Sequence, residues 1–271
     1  MFFTRKLIIL LLFSIPLEFV NAQCFKTNST FKEAEFISYQ ISYSLGPIWV
    51  DAGLVTFSVT KEQWYGRESL HLKSTGKTFA SYDLFFKVRD YYDSWIDPHD
   101  FSTLEFRRFI SEGSYNLLNT IRYDTNRSRM ISNTKRNNNE VSHDTIIPKG
   151  CIFDMLSAVY FTRTLDLGQL EKDKKIPVNV VIDDNIYNIY IRTLGKEIIE
   201  NIDGRKYRCN KFSARMVQGT IFKGDEDVAV WITDDENKIP VLIEAKIIVG
   251  TVKAYLKEMK GLKNPITSLV K

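Results

Sequence analysis

Histidine and cysteine are scarce in this sequence, and their scarcity removes most metal and nucleophile chemistry. The three histidines among 271 residues, His71, His99 and His143, stand alone, and Cys24, Cys151 and Cys209 form no Cys-x-x-Cys. A conventional zinc site therefore has no ligand set, and neither a metal nor any other cofactor is expected. No Gly-x-Ser-x-Gly elbow occurs, so a serine hydrolase has no anchor for its nucleophile. Gly76-Lys77-Thr78 resembles the tail of a phosphate-binding loop, but His71 stands where the leading glycine belongs, and the context reads as a strand end. The acidic turn Asp234 to Asn237 lacks the glycine and distant glutamate of an EF-hand loop and reads as a hairpin turn.

Charge of one sign is lacking too. With 37 basic and 33 acidic residues the formal net charge is +4, and the basic residues are scattered along the chain. No nucleic-acid footprint results. The brief run Thr134 to Asn139 reads as a hairpin tip.

Long apolar runs are absent beyond the start of the chain, so no transmembrane segment is expected; a spanning helix needs roughly 20 apolar residues. At the start, Arg5 and Lys6 precede an apolar stretch from Leu7 to Pro16, and Val20-Asn21-Ala22 offers small or aliphatic residues at the positions a signal peptidase reads. This pattern predicts a leader over residues 1–22, cleavage before Gln23, and a single mature domain over 23–271 in the periplasm or secreted. Gln23 before Cys24 does not fit a lipobox. Losing Arg5, Lys6 and Glu18 with the leader lowers the formal charge to +3.

What the chain has in abundance is strand pattern. Phe36 to Leu45 alternates, with Ile37, Tyr39, Ile41, Tyr43 and Leu45 on one face and Ser38, Gln40, Ser42 and Ser44 on the other, which marks a half-buried strand. Similar segments follow to Ile147 and again from Lys175 to Met259, separated by turns such as Gly46-Pro47, Tyr65-Gly66 and Asp203-Gly204. The aromatic run Phe79 to Val88 has mixed spacing and admits a short helical turn. About a dozen antiparallel strands are expected, and a sheet of that size must curl. Between the two sets, Pro148 to Leu165 carries Ile152, Met155, Leu156, Val159, Tyr160 and Arg163 at helical spacing, widened by Phe153. The fold class is thus mainly β: a large curled antiparallel half-barrel wrapped around one principal α-helix.

In an oxidising compartment, a Cys151–Cys209 bridge would tie the start of this helix to a late strand and stabilise the fold by about 3–5 kcal/mol. The other reading is two buried free thiols.

Several short motifs follow one another along the chain. They are Tyr39 to Tyr43 with Ala52-Gly53, Val88-Arg89-Asp90 with Ser94 to Asp97, Asp154 to Tyr160 with Arg163, and Trp231 to Asp235 with Ile239-Pro240-Val241. Together they resemble the DUF3108 family of exported bacterial proteins across nearly the whole mature chain. That family is similar in fold to the lipoprotein-carrier group, whose half-barrel wraps a helix and whose hydrophobic cavity holds acyl chains. The resemblance implies a fold and brings no catalytic residue.

Two functional readings stand. In the first, a non-enzymatic envelope protein holds a lipid or lipoprotein acyl chain in the concave face of its sheet. Phe153, Leu156, Val159 and Tyr160 then line the cavity, and Arg89, Asp90, Asp154 and Arg163 form either a polar anchor for a headgroup or a buried structural ion-pair set. In the second, the helix fills the core completely and an exposed strand edge or loop binds another envelope protein.

Overall fold

The alternation of Phe36–Leu45 forms strand β1, and the strands that follow build one antiparallel sheet upon it. The computed structural model describes residues 28–124, 126, 128–215, 228–247 and 250–270. The leader expected over 1–22, its cleavage point and Cys24 lie outside the described residues.

Eight strands precede the helix: β1, β2 (Ile48–Trp64), β3 (Arg67–Thr78), β4 (Arg89–Ile96), β5 (Thr103–Glu112), β6 (Tyr115–Asp124), β7 (Arg129–Arg136) and β8 (Ser142–Ile146). After helix α1 (Met155–Thr164) come β9 (Lys175–Ile182), β10 (Asn185–Glu200), β11 (Lys206–Ala214), β12 (Val228–Thr233), β13 (Pro240–Lys246) and β14 (Thr251–Lys260). Each set is a meander in which sequence neighbours pair. The two arms join where β1 pairs with β14, in register Gln40 with Tyr255. Among the described residues this gives fourteen strands in one open sheet, with β8 and β9 at its edges.

Strand β10 runs unbroken through Gly195. Gly195, at φ +101°, lies at a bulge where the β10–β11 register slips between Thr193 and Gly195. The strand bends there instead of ending.

The sheet curls around α1. Leu72, Ile96 and Phe106 from the first arm and Val180, Ile191 and Phe212 from the second share a core with Leu156 and Tyr160 of the helix. At the helix start, the buried Asp154 carboxylate accepts the backbone N–H groups of Leu156 (2.8 Å) and Ser157 (2.9 Å). It also accepts the hydroxyls of Ser94 (2.6 Å) and Thr103 (2.7 Å) from the sheet. One side chain thus caps the helix and fixes it to β4 and β5.

The helix is shorter than its apolar spacing predicts. Phe153 is extended, receiving Val181 N–H at 2.8 Å and donating to Asn179 O at 3.0 Å, so its backbone lies beside the outer edge of β9. Those bonds outcompete a further helical turn.

A latch crosses the concave face. The β9–β10 turn places the Asp183 carboxylate against Arg108 of β5 and Arg136 of β7, the latter at 2.9 Å. Ser132 of β7 donates to Asp183 O at 2.7 Å. This turn ties the second arm to the first without closing the sheet.

Of the two readings for the cysteines, the Cys151–Cys209 bridge is not formed. Cys209 is a buried free thiol, packed with Tyr207, Trp231 and Val241. Along β11, Phe212 faces the helix, so the alternation sends Cys209 to the opposite, convex face. The C-terminal tail pairs beside the strand through Arg208 N–H to Ser268 O and Val270 N–H to Lys206 O, and its Ile266 packs on the Cys209 cluster. Cys151 is disulfide-bonded, but not to Cys209.

Candidate functional site

Helix α1 does not fill the whole concave face. Along β4, Asp90, Tyr92, Ser94 and Ile96 share one side, and Ser94 touches the helix cap. Their partners on β3, Gly76, Ser74, Leu72 and Leu70, face the same way. The next strands continue the surface, with Val55 opposite both Gly76 and Tyr39. Near Ser94 and Leu72 this face is covered by the helix. Near Asp90 and Gly76 it opens into a cavity of about 550 Å³.

Ile41, Gly53, Val55 and Gly76 lie on the floor, and Tyr43, Ile247 and Val252 contribute from the β1–β14 side. Tyr82 and Phe86 come from the helical turn between β3 and β4, in which Phe86 N–H donates to Tyr82 O at 3.1 Å. A β-carbon at Gly53 would stand 2.3 Å from Lys77 O, so only glycine allows β2 and β3 to meet there. Gly76 is different: a β-carbon would meet Asp90 and Val55 at ordinary contact distances of 3.7 and 3.8 Å. The missing side chain at Gly76 leaves room in the cavity itself.

The polar end is acidic. Asp90 is only 8% exposed and accepts Ser111 N–H at 3.1 Å. Burial pushes its carboxyl up to about 7, against the lowering effect of that hydrogen bond, and the neighbouring Glu112 adds to the rise. An apolar chamber with a carboxyl that exists partly as the neutral acid near pH 7 suits a long apolar group bearing a hydrogen-bonding head.

The residues singled out from sequence do not converge. Phe153, Leu156 and Tyr160 are buried in the core. Val159 is 43% exposed and borders a recess of about 30 Å³ with Tyr39, Phe57 and Tyr160. Phe57 borders that recess, and Val55, two residues away on β2, lines the larger cavity. Of the four polar residues, Asp90 alone lines the cavity. Arg89 pairs outside it with Asp83 at 2.5 Å. Asp154 caps the helix, and Arg163 meets Glu35.

Two of the isolated histidines have side-chain partners: His143 Nδ1 lies 2.6 Å from Asn133 Oδ1, and His71 is more fully enclosed. Both ring nitrogens of His71 lie 2.8 Å from carboxylates, those of Glu62 and Asp93, and the ring stacks on Trp95. In the acidic turn, Asp235 accepts Thr233, Asn237 and Ser268, as a hairpin turn requires. Among the described residues, no group of three His, Cys, Asp or Glu side chains is placed to hold a metal ion.

Sequence reasoning missed Gly53, Gly76, Tyr82, Phe86 and Glu112 as lining residues. A glycine inside a strand pattern signals a close backbone approach or a vacant side-chain position, and two occur here on neighbouring strands.

The profile of the DUF3108 family, described as proteins of unknown function, matches residues 38–257. The chain belongs to the DUF3108 family. No curated protein matches it. Among solved structures, this DUF3108 chain is similar to a β-barrel-like protein of domain of unknown function DUF1849 from Brucella abortus. The TM-score is 0.54 at 6% identity, covering 85% of this chain and 99% of that one. At that identity the likeness concerns the fold alone. No helix among the described residues is long and apolar enough to cross a membrane.

Proposed function

We propose that this DUF3108 protein is a non-enzymatic binding protein of the cell envelope that holds an acyl chain of a lipid or lipoprotein. The supporting observation is the cavity of about 550 Å³ at the open end of the concave face. Its size falls within the usual range for small-molecule sites, about 300–1,000 Å³. Each methylene buried there contributes about 0.8 kcal/mol before the cost of ordering. The acyl chain lies over Gly76 and Val55, beyond the helix, and the headgroup end approaches Asp90 and Glu112. Export follows from the leader pattern of residues 1–22 and belongs to the same proposal.

The test is a titration of delipidated protein with a fluorescent fatty-acyl probe. Saturable binding is expected, weakened at least about tenfold, or about 1.4 kcal/mol, by Gly76→Leu. Gly76→Ala should bind with smaller loss, because its β-carbon meets only ordinary contacts. A delipidated wild-type protein without saturable binding overturns the proposal and directs attention to a protein partner at the edge strand β8.

A further inference from the structure

The meander places the β1–β2, β3–β4 and β13–β14 turns at one end of the sheet, and the cavity opens among them. Two of these tips carry large apolar side chains into solvent. On the turn between β3 and β4, Leu84 is 87% and Phe85 82% exposed. Ile48, Trp49 and Val50 are exposed at the start of β2. Phe79 N–H to Ala52 O, at 2.9 Å, ties the two tips together.

This exposure is built in. Asp83, beside Leu84, is held by Arg89 and by the Thr78 hydroxyl. Phe86 packs against the β5–β6 turn, where a β-carbon on Gly113 would stand 3.1 Å from its ring. Tyr82 and Phe86 line the cavity, while Leu84 and Phe85 stand clear of the fold. A turn clamped at its base and apolar at its apex presents those side chains at a fixed height.

Charge at the rim favours one kind of partner. Lys253 holds its ammonium 4.9 Å from the centre of the Trp49 ring, an aromatic–cation pair of the kind enriched at bilayer interfaces. Lys77 and Lys87 are exposed at the two ends of the β3–β4 turn. Of the acids at this end, Asp83 and Glu244 are engaged in ion pairs with Arg89 and Lys253, Asp51 accepts the Ser42 hydroxyl, and Asp90 and Glu112 lie in the cavity. Apolar tips flanked by the exposed Lys77 and Lys87 match an anionic lipid surface.

We propose that this rim docks on an anionic lipid bilayer, with Leu84 and Phe85 entering the acyl region and the lysines facing the headgroups. It deepens the acyl-binding reading, since an acyl chain then passes from bilayer to cavity beneath Tyr82 and Phe86 without crossing water. Docking itself does not depend on the cavity.

The experiment is flotation of the purified protein with vesicles of phosphatidylethanolamine and phosphatidylglycerol. Wild type is expected to float with the vesicles, less so as salt rises, with a blue shift of tryptophan emission that Trp49→Phe removes. Leu84→Ser with Phe85→Ser should reduce flotation at least about tenfold and leave acyl-probe binding intact. Gly76→Leu should do the reverse, so failure of docking and failure of acyl binding are told apart. Absent flotation, or flotation unchanged in the double variant, overturns the proposal. So does vesicle-free self-association that the double variant abolishes, since the tips would then seat a second copy of the chain.

Discussion

Arg163, on the last turn of the helix, meets Glu35, just before the first strand, through two hydrogen bonds of 2.6 and 2.9 Å across 128 residues of sequence. Both side chains are almost wholly buried. Burial opposes the guanidinium charge, yet the Glu35 carboxylate more than offsets it and holds the Arg163 pKa above its ordinary value. Arg163 also donates to Asn237 O at 3.0 Å, so one side chain joins the helix, the N-terminal lead and the β12–β13 turn.

Glu35→Gln should therefore destabilise the fold by about 3–5 kcal/mol, the usual consequence of leaving one buried charge without its partner. Replacing both members, as Glu35→Leu with Arg163→Met, should recover much of that loss. Urea denaturation midpoints of the single and double variants check both expectations, and a single variant as stable as wild type would contradict them.

Asp90 makes stability depend on pH in a definite direction. Its folded-state pKa, about 7, lies above the ordinary value near 3.9, so the folded protein binds the proton more tightly than the unfolded chain. The associated stability is complete below about pH 4 and is lost as pH rises through about 7. Asp90→Asn should flatten this part of the curve and stabilise the protein above neutrality, by an amount on the order of 2 kcal/mol. Denaturation midpoints of both proteins across that range provide the comparison; parallel curves would remove Asp90 as the source.

Cys209 should resist thiol reagents while the protein is folded. Burial pushes its thiol up to about 12, with a further contribution from Asp235, and the thiolate is the reactive form. Alkylation followed by peptide mapping should find Cys209 unmodified in neutral buffer and modified in strong denaturant. Labelling at equal rates in both conditions would show that the C-terminal tail does not protect it.

The strands were legible because alternation is a local signal: Ile37, Tyr39 and Ile41 mark a buried face before any partner is known. The helix was legible as apolar spacing, but its start was not, since Phe153 is drawn into extended backbone by Asn179 and Val181, which lie on a strand not yet reached. Glu35 went unnoticed as the partner of Arg163 because it sits in a short polar lead far away in sequence. The cavity depends on register. Gly76 faces Val55 only after β2 and β3 have aligned, and no motif announces a space bordered by residues from several strands. The choice between a Cys151–Cys209 bridge and free thiols stayed open in the sequence, although the period of β11 itself places Cys209 on the face opposite Phe212.

The pairing of β1 with β14 has a consequence for how the chain comes to be a protein. Until residue 260 has been made, β1 has β2 on one side and no strand on the other, a bare hydrogen-bonding edge in the middle of the future sheet. The contacts that cover it are nearly as distant in sequence as the chain allows, and such contacts form only after the entropy of a long loop has been overcome. The two arms are local meanders with short-range pairing, whereas the seam that unites them waits for the last strand.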